Sequence, residues 1–230
     1  MLLSFRLPTL LCLLLIGATP ALAQQTEKSK AAKPKAEQPK AEAAKWQPLF
    51  DGKTLADWKS TNFGGEGEVE VKDGLLILNT GEPLTGITFQ KGDKLPKDHY
   101  ELSLEAKKVD GDDFFCGLTF PVRDSHCSFI VGGWAGGVVG LSSIDNLDAS
   151  ENETTQYRTF EKDQWFKIRV RVDGDKILAW IDDKEMVNVS VKDRKVDTRI
   201  EMDICKPLGI AAFRTKSALR DIKVRRLDGK

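Results

Sequence analysis

The amino-acid sequence predicts an all-β domain built from antiparallel strands. Residues 165–172 alternate apolar and charged side chains with a period of two, which is typical of a strand with one buried face. Short runs of this kind recur along the chain, separated by turn dipeptides such as Asp73-Gly74 and Asp173-Gly174. No amphipathic helical pattern exceeds two turns. These features favour a β-sandwich or jelly roll, and a barrel is the alternative, because both architectures alternate inward and outward residues.

The first 23 residues have the organisation of a secretory signal peptide. A short basic start ending at Arg6 precedes an apolar run over residues 7–16, and Ala21-Leu22-Ala23 provides a small-x-small cleavage site. The apolar run is shorter than the ~20 residues of a membrane-spanning helix. We therefore expect cleavage after Ala23, no transmembrane segment in the mature protein, and a secreted or periplasmic location.

Residues 24–45 predict a disordered linker. They are almost entirely Ala, Lys, Glu, Gln and Pro, without aromatic or branched aliphatic side chains, so they cannot bury enough apolar surface to fold. A solvated spacer is the favoured interpretation, and contact of its lysines with an acidic polymer of the cell envelope is the alternative. The remaining residues, 46–230, are sufficient for one domain with a substantial core.

The predicted strands follow one another at short spacing. An early hairpin is predicted in which residues 68–71 and 75–78 flank Asp73-Gly74. The clearest unit is a three-stranded antiparallel meander over residues 165–172, 176–181 and 186–191. Further strands are predicted at 100–106, 114–120, 127–132, 209–213 and 218–227. Because no helices are available to connect parallel strands, we expect antiparallel sheets.

Three cysteines remain after the expected cleavage, namely Cys116, Cys127 and Cys205. An odd number allows one internal disulfide at most. Cys116 and Cys127 fall on predicted neighbouring strands of one hairpin, which is compatible with a cross-strand bridge. Buried free thiols are the alternative, because a cysteine on a strand often packs as a small hydrophobic side chain.

Composition and motifs exclude several function classes. The 35 Lys and Arg residues are balanced by 35 Asp and Glu residues, so no general basic field exists and no nucleic-acid partner is expected. The sequence lacks the nucleophile elbow, the nucleotide-binding glycine loop and the zinc-protease motif. His99 and His126 are its only histidines, which excludes a multi-histidine metal site.

Trp134 is the most distinctive aromatic residue, because it stands among four glycines within residues 132–137. Glycines let a ligand or another chain approach the backbone closely, so a sugar ring stacked on Trp134 is one interpretation. The alternative is structural, with Trp134 covering the end of the sandwich and the glycines forming a bulge and a turn.

The loop over residues 145–158 is dense in oxygen-bearing side chains, as a hard cation or sugar hydroxyls require. Its spacing differs from the EF-hand pattern, so a solvated polar loop is the alternative to a calcium or other divalent-cation site. Carboxylate pairs at Asp112-Asp113 and at Glu151 with Glu153 offer acid and base groups, with surface turns as the alternative. Arg158 and Arg214 can bind a carboxylate or polarise a carbonyl, although most arginines of such a domain face solvent.

Residues 46–58 contain an LFDGKTLxxW motif, and residues 165–182 form a W-x-x-x-R-V-x-V-x-G-x-x-I-x-x-W-x-D hairpin. Together with two further segments, these motifs resemble the opening signature and a hairpin of the secreted bacterial family named for 3-keto-disaccharide hydrolases. Its closing strands resemble residues 209–225, and residues 113–120 take the place of its GNSGIxxR strand. The resemblance spans residues 46–227 and implies a concanavalin A-like jelly-roll sandwich with a sugar site on its concave face.

The resemblance also implies an activity on glycosides whose glucose ring is oxidised at C3. There the ketone acidifies the C2 proton and permits an eliminative cleavage assisted by a metal or a base. Two positions depart from the family pattern: Ser128-Phe129-Ile130 stands in place of E-Y-Q, and residues 211–214 stand in place of L-Q-x-H. We therefore expect either an active site built from other residues or a sugar cleft without turnover.

Two main hypotheses for the function follow. A secreted hydrolase or lyase for 3-keto-glycosides would use Glu151 or Glu153 as base and Arg158 or Arg214 to stabilise developing negative charge. A non-catalytic carbohydrate- or matrix-binding module would use Trp134 for stacking and the acidic loop for hydroxyls or calcium. A structural domain held near the envelope by its tether is a third interpretation. The partner expected in the first two is a saccharide, with substrate-binding residues Trp134, Asn152, Tyr157 and Arg214.

Overall fold

The computed structural model describes residues 45–227, so the predicted signal peptide and nearly all of the predicted linker lie outside the described range. The described residues form fifteen strands in two antiparallel sheets that enclose one main apolar core. This arrangement confirms the predicted sandwich of concanavalin A-like type, rather than a single closed sheet. Within residues 45–227, no helix has the length and apolarity needed to cross a bilayer.

In chain order the strands are β1 (Gln47–Pro48), β2 (Trp58–Ser60), β3 (Val69–Lys72), β4 (Leu75–Leu78), β5 (Leu84–Phe89), β6 (Tyr100–Gly111), β7 (Cys116–Val122), β8 (Ser125–Gly132), β9 (Val138–Ser142), β10 (Gln156–Tyr157), β11 (Trp165–Asp173), β12 (Lys176–Ile181), β13 (Lys184–Ser190), β14 (Gly209–Phe213) and β15 (Thr215–Arg226). A helical turn lies at Gly133–Gly136, and short 3-10 helices lie at Gly92–Lys94 and Ile200–Cys205. The larger sheet has the order β13-β12-β11-β6-β15-β4-β3, with β1 beside β15. The smaller sheet has the order β10-β9-β8-β7-β14-β5-β2.

The core between the sheets follows from the period-two patterns of the strands. Leu102 and Leu104 of β6 are buried and lie opposite the equally buried Val170 and Ile168 of β11. Burial of each such branched side chain contributes about 1.5–3 kcal/mol. The apolar residues of the alternating pattern in β11 therefore face the core. The predicted antiparallel meander of β11, β12 and β13 is confirmed.

Most other predicted strands are present with shifted ends. β14 has its predicted bounds, whereas β6 continues to Gly111 and β15 already begins at Thr215. β7 begins at Cys116 instead of Phe114. The sequence did not predict β5 and β9, in which every residue is buried. A strand covered on both faces lacks the alternation that identifies a half-buried one.

The outer face of the smaller sheet is covered by the 3-10 helix Ile200–Cys205 and by the residues around Phe114, and the candidate site lies in this cover. Met202, on the 3-10 helix Ile200–Cys205, packs against Leu84 of β5. A Cβ on Gly117 of β7 would lie 3.0 Å from the ring of Phe114, so the glycine lets that ring lie close to the sheet. The cover thus builds a second, smaller apolar cluster outside the main core.

The outer face of the larger sheet carries a network of arginines, carboxylates and aromatic rings. The buried carboxylate of Glu101 on β6 binds Arg169, Arg171 and Arg225 from the two flanking strands. The guanidinium group of Arg169 also lies 4.0 Å from the centre of the Trp180 ring. Such cation–π contacts hold the arginines in place on a sheet face that is open to water.

All three cysteines in the described part of the chain are buried free thiols. Cys116 lies opposite Val131 in the β7–β8 hairpin, whereas Cys127 lies opposite Phe120, near the turn. The two cysteines are thus at opposite ends of the ladder. The cross-strand bridge considered from the sequence is therefore not formed, and the free-thiol alternative describes the fold.

Candidate functional site

A cleft of about 230 Å³ opens on the outer face of the smaller sheet. Its apolar lining comes from Leu84, Phe114, Ile130, Trp134, Met202 and Phe213. The rings of Phe114 and Phe213 lie 5.8 Å apart, centre to centre, and are tilted by 38°. An apolar surface with several aromatic rings is suited to the C–H faces of a planar or sugar-like ligand.

Trp134 reaches the cleft from an unusual backbone turn between β8 and β9. Trp134 and Ala135 both have positive φ, at 49° and 62°, a region that residues other than glycine seldom adopt. Gly132 enters the turn with φ of 81°, which a glycine tolerates without steric cost. The side chain of Trp134 remains 41% exposed, a high value for a tryptophan. Non-glycine residues in this region cost about 1–3 kcal/mol each and cluster at functional sites.

Asp113 connects the two aromatic sides of the cleft. Its Oδ1 accepts a hydrogen bond from the backbone N–H of Phe114 at 2.7 Å, and its Oδ2 accepts one from the N–H of Ala135 at 3.2 Å. The backbone N–H of Asp113 in turn donates to Thr215 Oγ1. This carboxylate therefore fixes the turn that carries Trp134 relative to the ring of Phe114.

Charged side chains form the rest of the rim. Arg199 Nε donates to Glu201 Oε1 at 2.6 Å, and Arg199 Nη1 donates to Asp148 Oδ2 at 2.5 Å. Arg199 and Glu201 both line the cleft. The rim thus offers carboxylate acceptors and a guanidinium donor beside an apolar floor, the combination that sugar hydroxyls and ring faces require.

Ser142, at the end of β9, also lines the cleft and is fully buried. In the described residues, only Ser142 Oγ and Ser217 Oγ are buried side-chain polar atoms without a hydrogen-bond partner. On the neighbouring strands, Ser128 Oγ and Thr119 Oγ1 form a hydrogen bond with each other at 2.8 Å. An unpaired buried hydroxyl costs about 1–3 kcal/mol, so this group at the cleft calls for an explanation.

The family model of the 3-keto-alpha-glucoside-1,2-lyase-like domain matches residues 45–225, nearly the whole described fold. The chain belongs to this family. The match agrees with the resemblance carried by residues 46–58 and by the β11–β12 hairpin. No curated protein sequence matches the chain.

Solved structures share the sandwich of this lyase-like domain at low sequence identity. Domain 4 of AbnA, an extracellular arabinanase from Geobacillus stearothermophilus solved with arabinotriose, has a TM-score of 0.53 at 17% identity, over 80% of this chain and 94% of that one. The Crh5 transglycosylase in complex with NAG has a TM-score of 0.53 at 10% identity, over 82% and 86%. The carbohydrate recognition domain of Emp47p has a TM-score of 0.51 at 12% identity, over 82% and 99%. At these identities the likeness shows the fold alone.

The lyase-like domain places the predicted base residues outside the Trp134 cleft. Arg194 Nη1 donates to Glu153 Oε1 at 2.6 Å, and Arg194 Nε donates to Asp145 Oδ2 at 2.5 Å. The hydrogen bond from Arg194 is the main reason why the pKa of Glu153 lies below its ordinary value. Glu151 is exposed on the same loop. A catalytic role for either glutamate stays a prediction.

The remaining predicted residues are distributed over different surroundings. Asn152 is buried, and its amide group bonds the backbone of the acidic loop. Tyr157 is 76% exposed on the edge strand β10. Arg158 lines a second cavity and pairs with Asp182, and Arg214 lies 5.5 Å from the centre of the Phe213 ring. Of the predicted set, Trp134 lines the cleft itself, and Arg214 lies beside its wall.

The described residues do not fit the divalent cation considered from the sequence. Within residues 45–227, no three His, Cys, Asp or Glu side chains are placed to hold a metal ion. The carboxylates of the acidic loop are instead bound to arginines, Asp145 to Arg194 and Asp148 to Arg199. Arginine pairing thus occupies oxygens that a cation would need.

Proposed function

We propose that this domain binds a saccharide in the Trp134 cleft. The observation that carries the proposal is the placement of an exposed tryptophan and two phenylalanine rings beside Asp113, Arg199 and Glu201. A sugar ring presents an apolar C–H face to the aromatic rings and its hydroxyl groups to the charged rim. The cleft is smaller than the ~300 Å³ at which ordinary small-molecule sites begin, so it suits a single sugar unit better than a long oligosaccharide.

The comparisons support a carbohydrate ligand. The matched family is described by an activity on a keto-glucoside. Two structural neighbours were solved with arabinotriose and with NAG, and a third is a carbohydrate recognition domain. The shared fold gives a general reason to test sugars, and the lining of the cleft gives the specific one.

Isothermal titration of the full chain tests the proposal with glucose, N-acetylglucosamine, arabinotriose and a 3-keto-glucoside. We expect saturable binding of at least one of them and a loss of ten-fold or more in affinity for Trp134→Ala. Tyr157→Ala is the matched control, because it removes an exposed aromatic residue away from the cleft. Equal losses for the two variants, or no binding of any sugar, would contradict a site at Trp134.

Cleavage of 3-keto-glycosides is the second candidate function, and it is favoured by the family match and by a carboxylate in the cleft. Glu201 Oε1 accepts the Arg199 hydrogen bond, and Oε2 has no hydrogen bond to the described residues. In an elimination, Glu201 would take the C2 proton, and the C2–H electron pair would form the C1=C2 double bond. The C1–O bond would break with its electrons on the leaving oxygen, which takes a proton from Glu201 or from water.

Product release from a 3-keto-glucoside separates turnover from binding. If Glu201 is the base, Glu201→Gln abolishes release and keeps sugar affinity within a few-fold. Glu151→Gln and Glu153→Gln serve both as matched controls and as tests of the sequence-based prediction. Loss of turnover in either of these controls, with activity retained in Glu201→Gln, would show that the base is a glutamate of the acidic loop and not Glu201.

Export of the mature protein is also part of this proposal. The signal-peptide pattern and the carbohydrate-related family support a secreted or periplasmic location. Mass spectrometry of the protein from its native host is expected to find Gln24 as the first residue. An intact amino terminus at Met1 would contradict export by cleavage after Ala23.

A further inference from the structure

A second cavity, of about 290 Å³, lies on the other side of the Gly132–Gly137 turn. Ala135, Gly136 and Gly137 form one wall, whereas Trp134 of the same turn lines the first cleft. Lys108, Asp112, Arg158 and Thr159 contribute its polar lining. The turn therefore separates an aromatic cleft from a cavity with two cationic side chains.

Lys108 stands at a position of β6 where the pattern calls for an apolar residue. It continues the inward-facing series of Leu102, Leu104 and Ala106, whereas its neighbour Lys107 faces outward and pairs with Asp163 at 3.0 Å. Lys108 is only 9% exposed. A lysine at a core-facing position is rare unless it is paired.

Lys108 Nζ has no ion pair and no hydrogen bond to another group of residues 45–227, although Asp112 also lines the cavity. The ammonium group lies next to the glycine turn, because a Cβ on Gly136 would be 3.9 Å from Nζ. The stem of Lys108 is thus buried while its ammonium group reaches the solvent of the cavity, as long cationic side chains often do. The fold therefore holds an ammonium group at the wall of this cavity without giving it a partner among the described residues.

Arg158 is the second cation of the cavity, and its charge is already compensated. Its Nη2 donates to Asp182 Oδ2 at 2.6 Å, its Nη1 donates to the Ile181 carbonyl, and its guanidinium lies 5.1 Å from the Phe166 ring centre. These contacts fix Arg158 in place. Lys108 is therefore the group that lacks a negative partner.

We propose that the second cavity is an anion site in which Lys108 Nζ binds a compact oxyanion, namely a carboxylate, sulfate or phosphate group. A charge-assisted hydrogen bond from the ammonium group to such an oxygen would supply the partner that Lys108 lacks. The exposed hydroxyl of Thr159 lines the same cavity and offers a second donor. The proposal is independent of sugar binding at Trp134, which lines a different cavity.

The test is a titration of the full chain with sulfate, phosphate, glucuronate and glucose at constant ionic strength, followed by the amide NMR signals of Gly136 and Gly137. We expect saturable shifts with at least one anion that are lost in Lys108→Met, whereas any shift caused by glucose at the neighbouring Trp134 cleft persists in that variant. A response to glucuronate alone assigns the site to an acidic sugar, and a response to sulfate or phosphate assigns it to that oxyanion.

Variants of two adjacent lysines make the test specific. Lys108→Met is expected to weaken anion binding at least ten-fold, Lys107→Met to leave it unchanged, and Lys108→Arg to retain it because the charge is kept. The thermal midpoint of Lys108→Met reports whether that variant folds. If it does not fold, the proposal is tested by the anion affinity of Lys108→Arg, which is expected to remain close to that of the wild type. No saturable shift in the wild type, or equal binding by Lys108→Met, would overturn the proposal.

Discussion

Glu101 Oε1 accepts a hydrogen bond from Arg171 Nε at 2.8 Å on a sheet face that is open to water, yet the Glu101 side chain has no solvent exposure. Arg225 Nε donates to its other oxygen at 2.6 Å, and Arg169 contacts the first. The three arginines come from the strands on either side of β6, so one carboxylate ties together three neighbouring strands.

Replacing Glu101 by glutamine is expected to lower the free energy of unfolding by about 3 kcal/mol, because breaking a buried ion pair leaves uncompensated charge. Chemical denaturation measures this loss. Glu105→Gln is the matched control, since Glu105 is partly exposed and binds Arg220 alone. Its effect is expected within about 1 kcal/mol. Equal effects at the two positions would show that the Glu101 network contributes little.

The Glu101 carboxylate is also expected to make the free energy of unfolding depend on pH. Burial raises the pKa of Glu101, but the hydrogen bonds and charges of Arg171 and Arg225 outweigh burial, so the pKa in the folded protein lies below its ordinary value. The stabilising contribution is therefore complete above about pH 4.3, the unfolded value, and is lost as the pH falls through the folded pKa. This acid-induced loss is expected to be smaller in Glu101→Gln.

The sequence predicts most half-buried strands but only some of the covered ones, since β7 is buried throughout and is predicted, whereas β5 and β9 are not. β11 alternates, and its prediction is confirmed, whereas β5 and β9 are buried on both faces and show no period. For the cleft, the glycines around Trp134 gave a local signal. Arg199 and Glu201 show no such signal, because they lie at the start of a short 3-10 helix that is distant from Trp134 in sequence and meets it only in the folded protein.

Ser142→Ala is expected to leave stability unchanged or to raise it by about 1 kcal/mol, because it removes a buried hydroxyl without a partner. If a sugar uses this hydroxyl, the variant also loses affinity. Ser217→Ala is the control, since Ser217 Oγ is equally unpartnered but is not part of the cleft lining. Titration calorimetry together with thermal unfolding separates the effects, and equal sugar affinity in both variants would remove Ser142 from the site.

The three buried thiols are expected to resist alkylation in the folded protein. Burial raises the pKa of Cys127 and of Cys205 to about 12, and that of Cys116 also rises. Mass spectrometry after iodoacetamide at neutral pH is expected to find labelling only in denaturant. Because the unfolded thiols ionise near pH 8.5, stability is expected to fall as the pH rises above that value. Rapid labelling of the native protein would contradict this burial.

Asn152→Ala distinguishes a ligand-binding residue from a structural one. Asn152 Nδ2 donates to the carbonyls of Leu141 and Asp148, and its Oδ1 accepts from Thr154 N at 2.9 Å. Removing the amide leaves several buried groups unpaired, so a loss of about 3 kcal/mol is expected by chemical denaturation. Asn188→Ala, an exposed position, is the control and is expected to change stability by less than about 0.5 kcal/mol.

The same variant decides the role predicted for Asn152 from the sequence. If the amide only holds the acidic loop in place, the folded fraction of Asn152→Ala is expected to bind sugar with wild-type affinity. A stable Asn152→Ala protein that has lost sugar binding would instead make Asn152 a ligand contact. It would also extend the saccharide site from the Trp134 cleft onto the acidic loop, whose Asp148 binds Arg199 of the cleft lining.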